Sequence, residues 1–350
     1  MSLGKKKMLS QGAAGGVVAT DNFNTVLYTG NGGTQAVTGV GFQPDFVWIK
    51  RRDGSANHVL FDSVRGVGER LHSDTTDSEA STLPNGLTSF DSNGFTVVDN
   101  SGGGTGVNGS SQTYASWNWY APTSQSVSAS GSILASTIKK NVDSGFSIVR
   151  YDVGTQSSSQ QISHGLGVAP KLIIDKIIND SNFGWNVYSE PTGTGKALSL
   201  NNDGTVFNDA GFCSVVNNTI MQSKYTSQSN TQHIVYCFAD VAGYQKIGSY
   251  TGTNSTNGPI VYTTDDGTAT GTGGFEPAFL LIKGTQSTTQ WLIIDNKRST
   301  SNPRNKALFA NLNDAEGTNN SIDFFTNGFQ PITTDGDSNR AETYIYLAIA

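Results

Sequence analysis

Charge is scarce in this chain. Of 350 residues, 14% are Asp, Glu, Lys or Arg, against a usual quarter. They sum to a net charge of -6 and a pI near 5.2. That balance argues against nucleic acid as a partner, because a phosphate backbone calls for a basic face. No apolar run approaches the roughly 18 residues of a membrane helix, so no membrane partner is expected. Cysteine is limited to Cys213 and Cys237. Both read as small buried hydrophobes rather than as a disulfide. The four histidines, His58, His72, His164 and His233, are scattered without metal-ligand spacing. G-x-S-x-G, Walker and H-E-x-x-H motifs are missing. Strong helix formers rarely recur at helical spacing. These absences predict no cofactor and no enzymatic activity.

What fills the chain is glycine, 41 residues of it, with Ser, Thr, Asn and Gln. Hydrophobic residues make up 35% and aromatic residues 10%, enough to build cores rather than leave the chain disordered. Val, Ile, Thr, Phe and Tyr occupy short runs between Gly/Asn/Asp clusters, which predicts an all-β protein with many turns.

One pattern recurs. Phe42-Gln43-Pro44-Asp45-Phe46-Val47-Trp48-Ile49-Lys50 returns as Phe275-Glu276-Pro277-Ala278-Phe279-Leu280-Leu281-Ile282-Lys283. A weaker copy runs from Val168 through Pro170 to Lys176. Each reads as a buried strand entered through a Pro that ends the preceding turn. An F-x-x-x-G-F turn also recurs, at Phe90–Phe95, Phe207–Phe212 and Phe324–Phe329. So does a closing aromatic strand, at Thr113–Trp119, His233–Phe238 and Thr343–Ala348. Six or more strands per unit predict three tandem jelly-roll-like β-sandwich repeats. The predicted boundaries are an N-terminal segment over 1–23, repeats over 24–121, 145–241 and 242–350, and a Ser-rich linker over 122–144 with pairing near Ile133-Leu134.

Asp62 with Arg65, and Asp295 with Arg298, stand at equal distances after their prolines. Counting the same distances from Pro170 gives Tyr188 and Pro191 instead. A catalytic site is normally needed once, so a doubled pair reads as a structural ion pair that fixes a loop or joins neighbouring repeats or subunits. Lys50, Lys176 and Lys283 read as side chains snorkelling to the sheet edge. Asp335-Gly336-Asp337-Ser338-Asn339 and Asp265-Asp266-Gly267 read as turns rather than calcium loops. Trp117 and Trp119 share one face of a strand; core packing is the first reading and stacking on a sugar ring the second. Candidate contact loops run from Asp74 to Leu83, Asp99 to Gln112 and Thr251 to Gly274. The segment holding Lys5, Lys6, Lys7, Met8 and Leu9 reads as a docking peptide for an acidic surface, with a solvated tail as the alternative.

Tyr28-Thr29-Gly30, Gly39 to Lys50, Asp62-Ser63-Val64-Arg65-Gly66 and Tyr114 to Trp119 together resemble repeat proteins encoded by tailed bacteriophages, especially those of marine and aquatic bacteria. The resemblance covers about residues 24 to 350, and the second repeat has lost several of its motifs. It implies a virion-associated, non-enzymatic protein and transfers no catalytic or ligand residues. The expectation is a tail fibre, adhesin or tail adaptor. It would be anchored by its N-terminus to other virion proteins, homo-oligomeric by analogy, and in contact with a host-surface glycan or a neighbouring fibre. A capsid decoration protein is the alternative, and a glycan-degrading enzyme the third reading.

Overall fold

The computed structural model describes residues 17–100, 106–130, 133–155, 160–213, 216–223 and 229–350. The chain is all-β among those residues, with a single α-helical turn, Gly336–Asn339. One order of four antiparallel strands occurs three times. The first sheet runs Phe23–Thr29, Thr113–Trp119, Phe46–Arg51, Val59–Asp62. The second contains Phe146–Val153, Gln232–Phe238, Leu172–Ile177, Trp185–Ser189. The third contains Gln245–Thr251, Thr343–Ile349, Phe279–Gly284, Leu292–Asp295.

A smaller sheet backs each of these. Thr34–Thr38, Gly94–Val98 and Gly86–Asp91 form the first. Gln160–Ser163 with Ile220–Ser223 forms the second. Val261–Tyr262, Gly328–Pro331 and Ile322–Phe325 form the third. The residues predicted as a Ser-rich linker are largely sheet: Thr123–Val127 and Ile133–Asn141 pair with each other and extend the second sheet through Phe146–Val153.

The apolar runs after each Pro lack polar alternation because both faces of the strand are covered. Val47 and Ile49 point into the first sandwich, where they meet Val37, Leu87, Phe95 and Val97 of the backing sheet. Phe46 and Trp48 point the other way, into a core shared with the other two sandwiches. The same division holds for Ile173 against Leu172 and Ile174, and for Leu280 and Ile282 against Phe279 and Leu281. Trp119 sits at the meeting point. Its ring lies 4.9 Å from Phe23 and 5.0 Å from Phe46 of the first sandwich, 6.2 Å from Phe146 and 6.3 Å from Phe238 of the second, and 5.9 Å from Phe279 of the third.

A stacked ring pair also recurs at one register position. It is Tyr28 on Tyr114 in the first sandwich, Tyr250 on Tyr344 in the third, and Tyr151 on His233 in the second. His233 also places Nδ1 3.0 Å from Asp175 Oδ1 and Nε2 3.2 Å from Thr231 Oγ1. This acid–imidazole–hydroxyl set is buried throughout, and its place in the series of ring pairs explains it as packing.

Candidate functional site

The recurrent polar residues lie where the sandwiches meet, and they act in a cyclic sense. The residue at the entry to the fourth strand, its first residue in the second sandwich and the one just before it in the other two, carries a ring N–H in each. Trp185 of the second donates from Nε1 to the His72 carbonyl of the first at 2.8 Å. Trp291 of the third donates likewise to the Ser199 carbonyl of the second at 2.8 Å. In the first sandwich the position is His58. Its Nδ1 accepts from Trp48 Nε1 at 2.8 Å, which leaves the proton on Nε2 to be donated to the Phe309 carbonyl of the third at 2.9 Å. Burial holds the His58 imidazole well below its usual pKa, so it stays neutral and can act as an indole does.

The three lysines follow the same cycle. Lys50 Nζ donates to Arg51 O of its own strand and across to Asn313 O. Lys176 reaches Ile177 O and Thr76 O, and Lys283 reaches Gly284 O and Asp203 O. The sequence reading placed these ammoniums at a wet sheet edge. Instead all three residues have 0% exposure, because the neighbouring sandwich's loop closes over the edge and supplies carbonyl acceptors. Burial lowers each pKa from 10.5 to about 8, with nearby acids such as Asp74, Asp175 and Glu342 opposing the shift.

Between pH 8 and 10.5 the unfolded chain holds more lysine protons than the folded one, so stability rises with pH there, and below pH 8 the full cost of the buried charges is present. Above about pH 10 the buried tyrosines, Tyr28, Tyr236 and Tyr250 among them, act oppositely, because burial raises their pKa. The urea midpoint is therefore expected to be higher at pH 9.5 than at pH 7.5; a flat or falling profile across that interval would contradict the buried-ammonium account.

Asp62 and Arg65 pair at 2.5 Å with both side chains fully buried, as do Asp295 and Arg298. Each pair lies within one sandwich, as a pair fixing a loop does, and not between two repeats. The joint is made by a third group. Tyr236 of the second sandwich donates its hydroxyl to Asp62 at 2.8 Å. Trp117 of the first donates Nε1 to Asp295 at 3.0 Å and lies under the Arg298 guanidinium at 5.4 Å. Strand register pairs Ser189 with Leu172 as Asp62 pairs with Phe46 and Asp295 with Phe279. Ser189, not Tyr188, therefore holds the acid position, displaced by one extra residue in the preceding hairpin. The matching donor position, by register, is Leu347. Acid and donor are replaced together.

Trp117 and Trp119 have 0% and 2% exposure. No sugar ring can stack on them, so that part of the sequence reading is overturned: the shared face of their strand points to the central core. Cys213 and Cys237 are free and buried, and Cys237 Sγ approaches Met221 Sδ at 3.8 Å. Asp335 caps the helical turn from Gly336 by accepting the Asp337 N–H. Asp266 Oδ1 accepts from Thr268. Lys5, Lys6, Lys7, Met8 and Leu9 lie outside the described residues.

The open surface offers a different place. A cleft of about 490 Å³ lies where the first sandwich meets the Ile133–Asn141 strand that extends the second sheet. Phe42 and Tyr120 stand 5.5 Å apart on its apolar side. Asp45 and Lys139 form a 2.7 Å ion pair across the joint at its base. The Asp45 carboxylate is fixed by three donors, since Ser63 Oγ and the Ala121 N–H also bond it. Sequence reasoning missed this cleft because Lys139 and Asp45 lie in different sandwiches.

A search of curated proteins finds no match. Residues 18–350 match the model of a domain of unknown function, DUF7483, and with nearly its whole length inside that match the chain belongs to the DUF7483 family.

Proposed function

We propose that the protein is a structural, non-catalytic component of a tailed-bacteriophage particle. It is built as three tandem jelly-roll-like repeats closed into a pseudo-threefold ring. The nested strand order supports the roll: in each unit the first strand pairs with the last, and in the first unit the second pairs with the penultimate. The observation that carries the reading is the cycle of joints. The residues that recur between units, the ring donors, the buried lysines and the acid–arginine pairs, tie one unit to the next. A protein selected as a rigid block uses its recurrent polar groups in this way. The exposed loops are rich in Ser, Thr and Asn, which suits a surface displayed to the medium. The resemblance of the Pro-led strands to phage repeat proteins supplies the particle, and a tail position is preferred.

Gold-labelled antibody against this protein on intact phage, viewed by electron microscopy, tests the proposal. Label at the tail is the expected result. Label over the head would convert the reading to a capsid decoration protein, and particles without label would overturn it.

A further inference from the structure

We propose that the cleft between the first and second sandwiches binds a neutral, hydroxyl-rich saccharide of one or two rings. The inference rests on the host-contact reading above and names the ligand class it would serve.

The first argument is a departure from the internal pattern. The Tyr120 N–H bonds Asn22 O, and the Ala239 and Ala350 N–H groups make the same bond in their own units, to Gly145 O and Tyr244 O. The backbone position is therefore one and the same, and two of its three occupants are Ala. The shared fold does not require an aromatic ring there. Only the first unit carries one, on the wall of this cleft, with Phe42 beside it. A smaller cleft of about 230 Å³ beside the start of the third unit, lined by Val241, Lys246 and Asp265 among others, has no aromatic wall.

The second argument is chemical. An aromatic face stacks on the C–H face of a pyranose, while carboxylate, amide and hydroxyl groups around it meet the sugar's hydroxyls. Asp21, Gln43 and Ser92 are exposed residues on the cleft wall and provide one of each. The volume lies within the usual range for small-molecule sites. Charge narrows the class. Two carboxylates, Asp21 and Asp45, face one ammonium, Lys139, which Asp45 already engages. A phosphorylated, sulfated or sialylated ligand would meet net negative charge, and a neutral sugar would not.

The test is saturation-transfer NMR on the full chain. The probes are glucose, galactose, rhamnose, N-acetylglucosamine and their homodisaccharides. At least one is expected to receive saturation. In Tyr120→Ala, which installs the residue of the other two units, binding is expected to fall about tenfold, the size of one lost stacking contact, with a single cooperative urea transition retained. Asp21→Ala, at an exposed residue, should weaken binding without touching the core. Silence from every probe, or unaltered binding in both variants, would overturn the proposal. Tail label with silent probes would sink this inference alone; sugar binding with unlabelled particles would sink the particle reading alone.

Discussion

Trp119→Ala is expected to cost about 3–5 kcal/mol, the range for deleting a large buried aromatic side chain. The location of the loss matters as much as its size. Trp119 has five aromatic neighbours, two in its own sandwich, two in the second and one in the third. Its removal opens a cavity in the core common to all three, and the surrounding strands cannot collapse into it without moving entire sheets. Destabilisation should therefore appear equally whether unfolding is followed by a probe in the first, second or third sandwich. Guanidinium titrations of the variant, read through a fluorophore placed in each sandwich in turn, check this. A shift confined to the first sandwich would show that the central core does not couple the three.

Arg298→Ala is the second large effect, at about 3–5 kcal/mol. The Arg298 and Asp295 side chains both have 0% exposure, so removing the guanidinium strands a carboxylate where water cannot reach it. Arg298 also donates to Ile293 O and Lys306 O and covers the Trp117 ring, so the hairpin and the joint to the first sandwich weaken together. Arg51→Ala provides the contrast. Its pair with Asp53 is 27% and 37% exposed, and its loss should cost no more than about 1 kcal/mol. Chemical denaturation of the two variants side by side gives the comparison. Equal losses would mean that burial does not distinguish the pairs.

The sequence made the sheets visible and hid their joints, for a physical reason. A strand buried on both faces shows as an unbroken apolar run after its Pro, so Phe46–Ile49 and Phe279–Ile282 could be read directly. The partner of a buried polar group leaves no such local trace. Lys50 ends a strand in the same way as a snorkelling lysine; only Asn313, far along the chain, reveals that the ammonium is enclosed. Trp117 and Trp119 share a face, as strand geometry requires, but the pattern could not say whether that face meets solvent or another sandwich. Residue counting from Pro170 pointed to Tyr188, and pairing moved the acid position to Ser189, because a hairpin gains a residue without any signal in composition.

The doubled Asp–Arg pairs show what repetition can establish. Their recurrence indicated a structural role, and the third joint explains the exception. Where the acid position is Ser189, the donor position is Leu347, so no buried carboxylate is left without its donor, and the one polar group that remains is the small Ser189 hydroxyl, buried without a hydrogen-bond partner.

Differential scanning calorimetry of the intact chain tests the shared core most directly. Three sandwiches joined through Trp119, the ring donors and the buried lysines should melt as one cooperative unit, with a calorimetric enthalpy about equal to the van't Hoff enthalpy. Separable transitions, or a calorimetric enthalpy about three times the van't Hoff value, would mean that each sandwich unfolds alone, and the central core would not be what holds the molecule together.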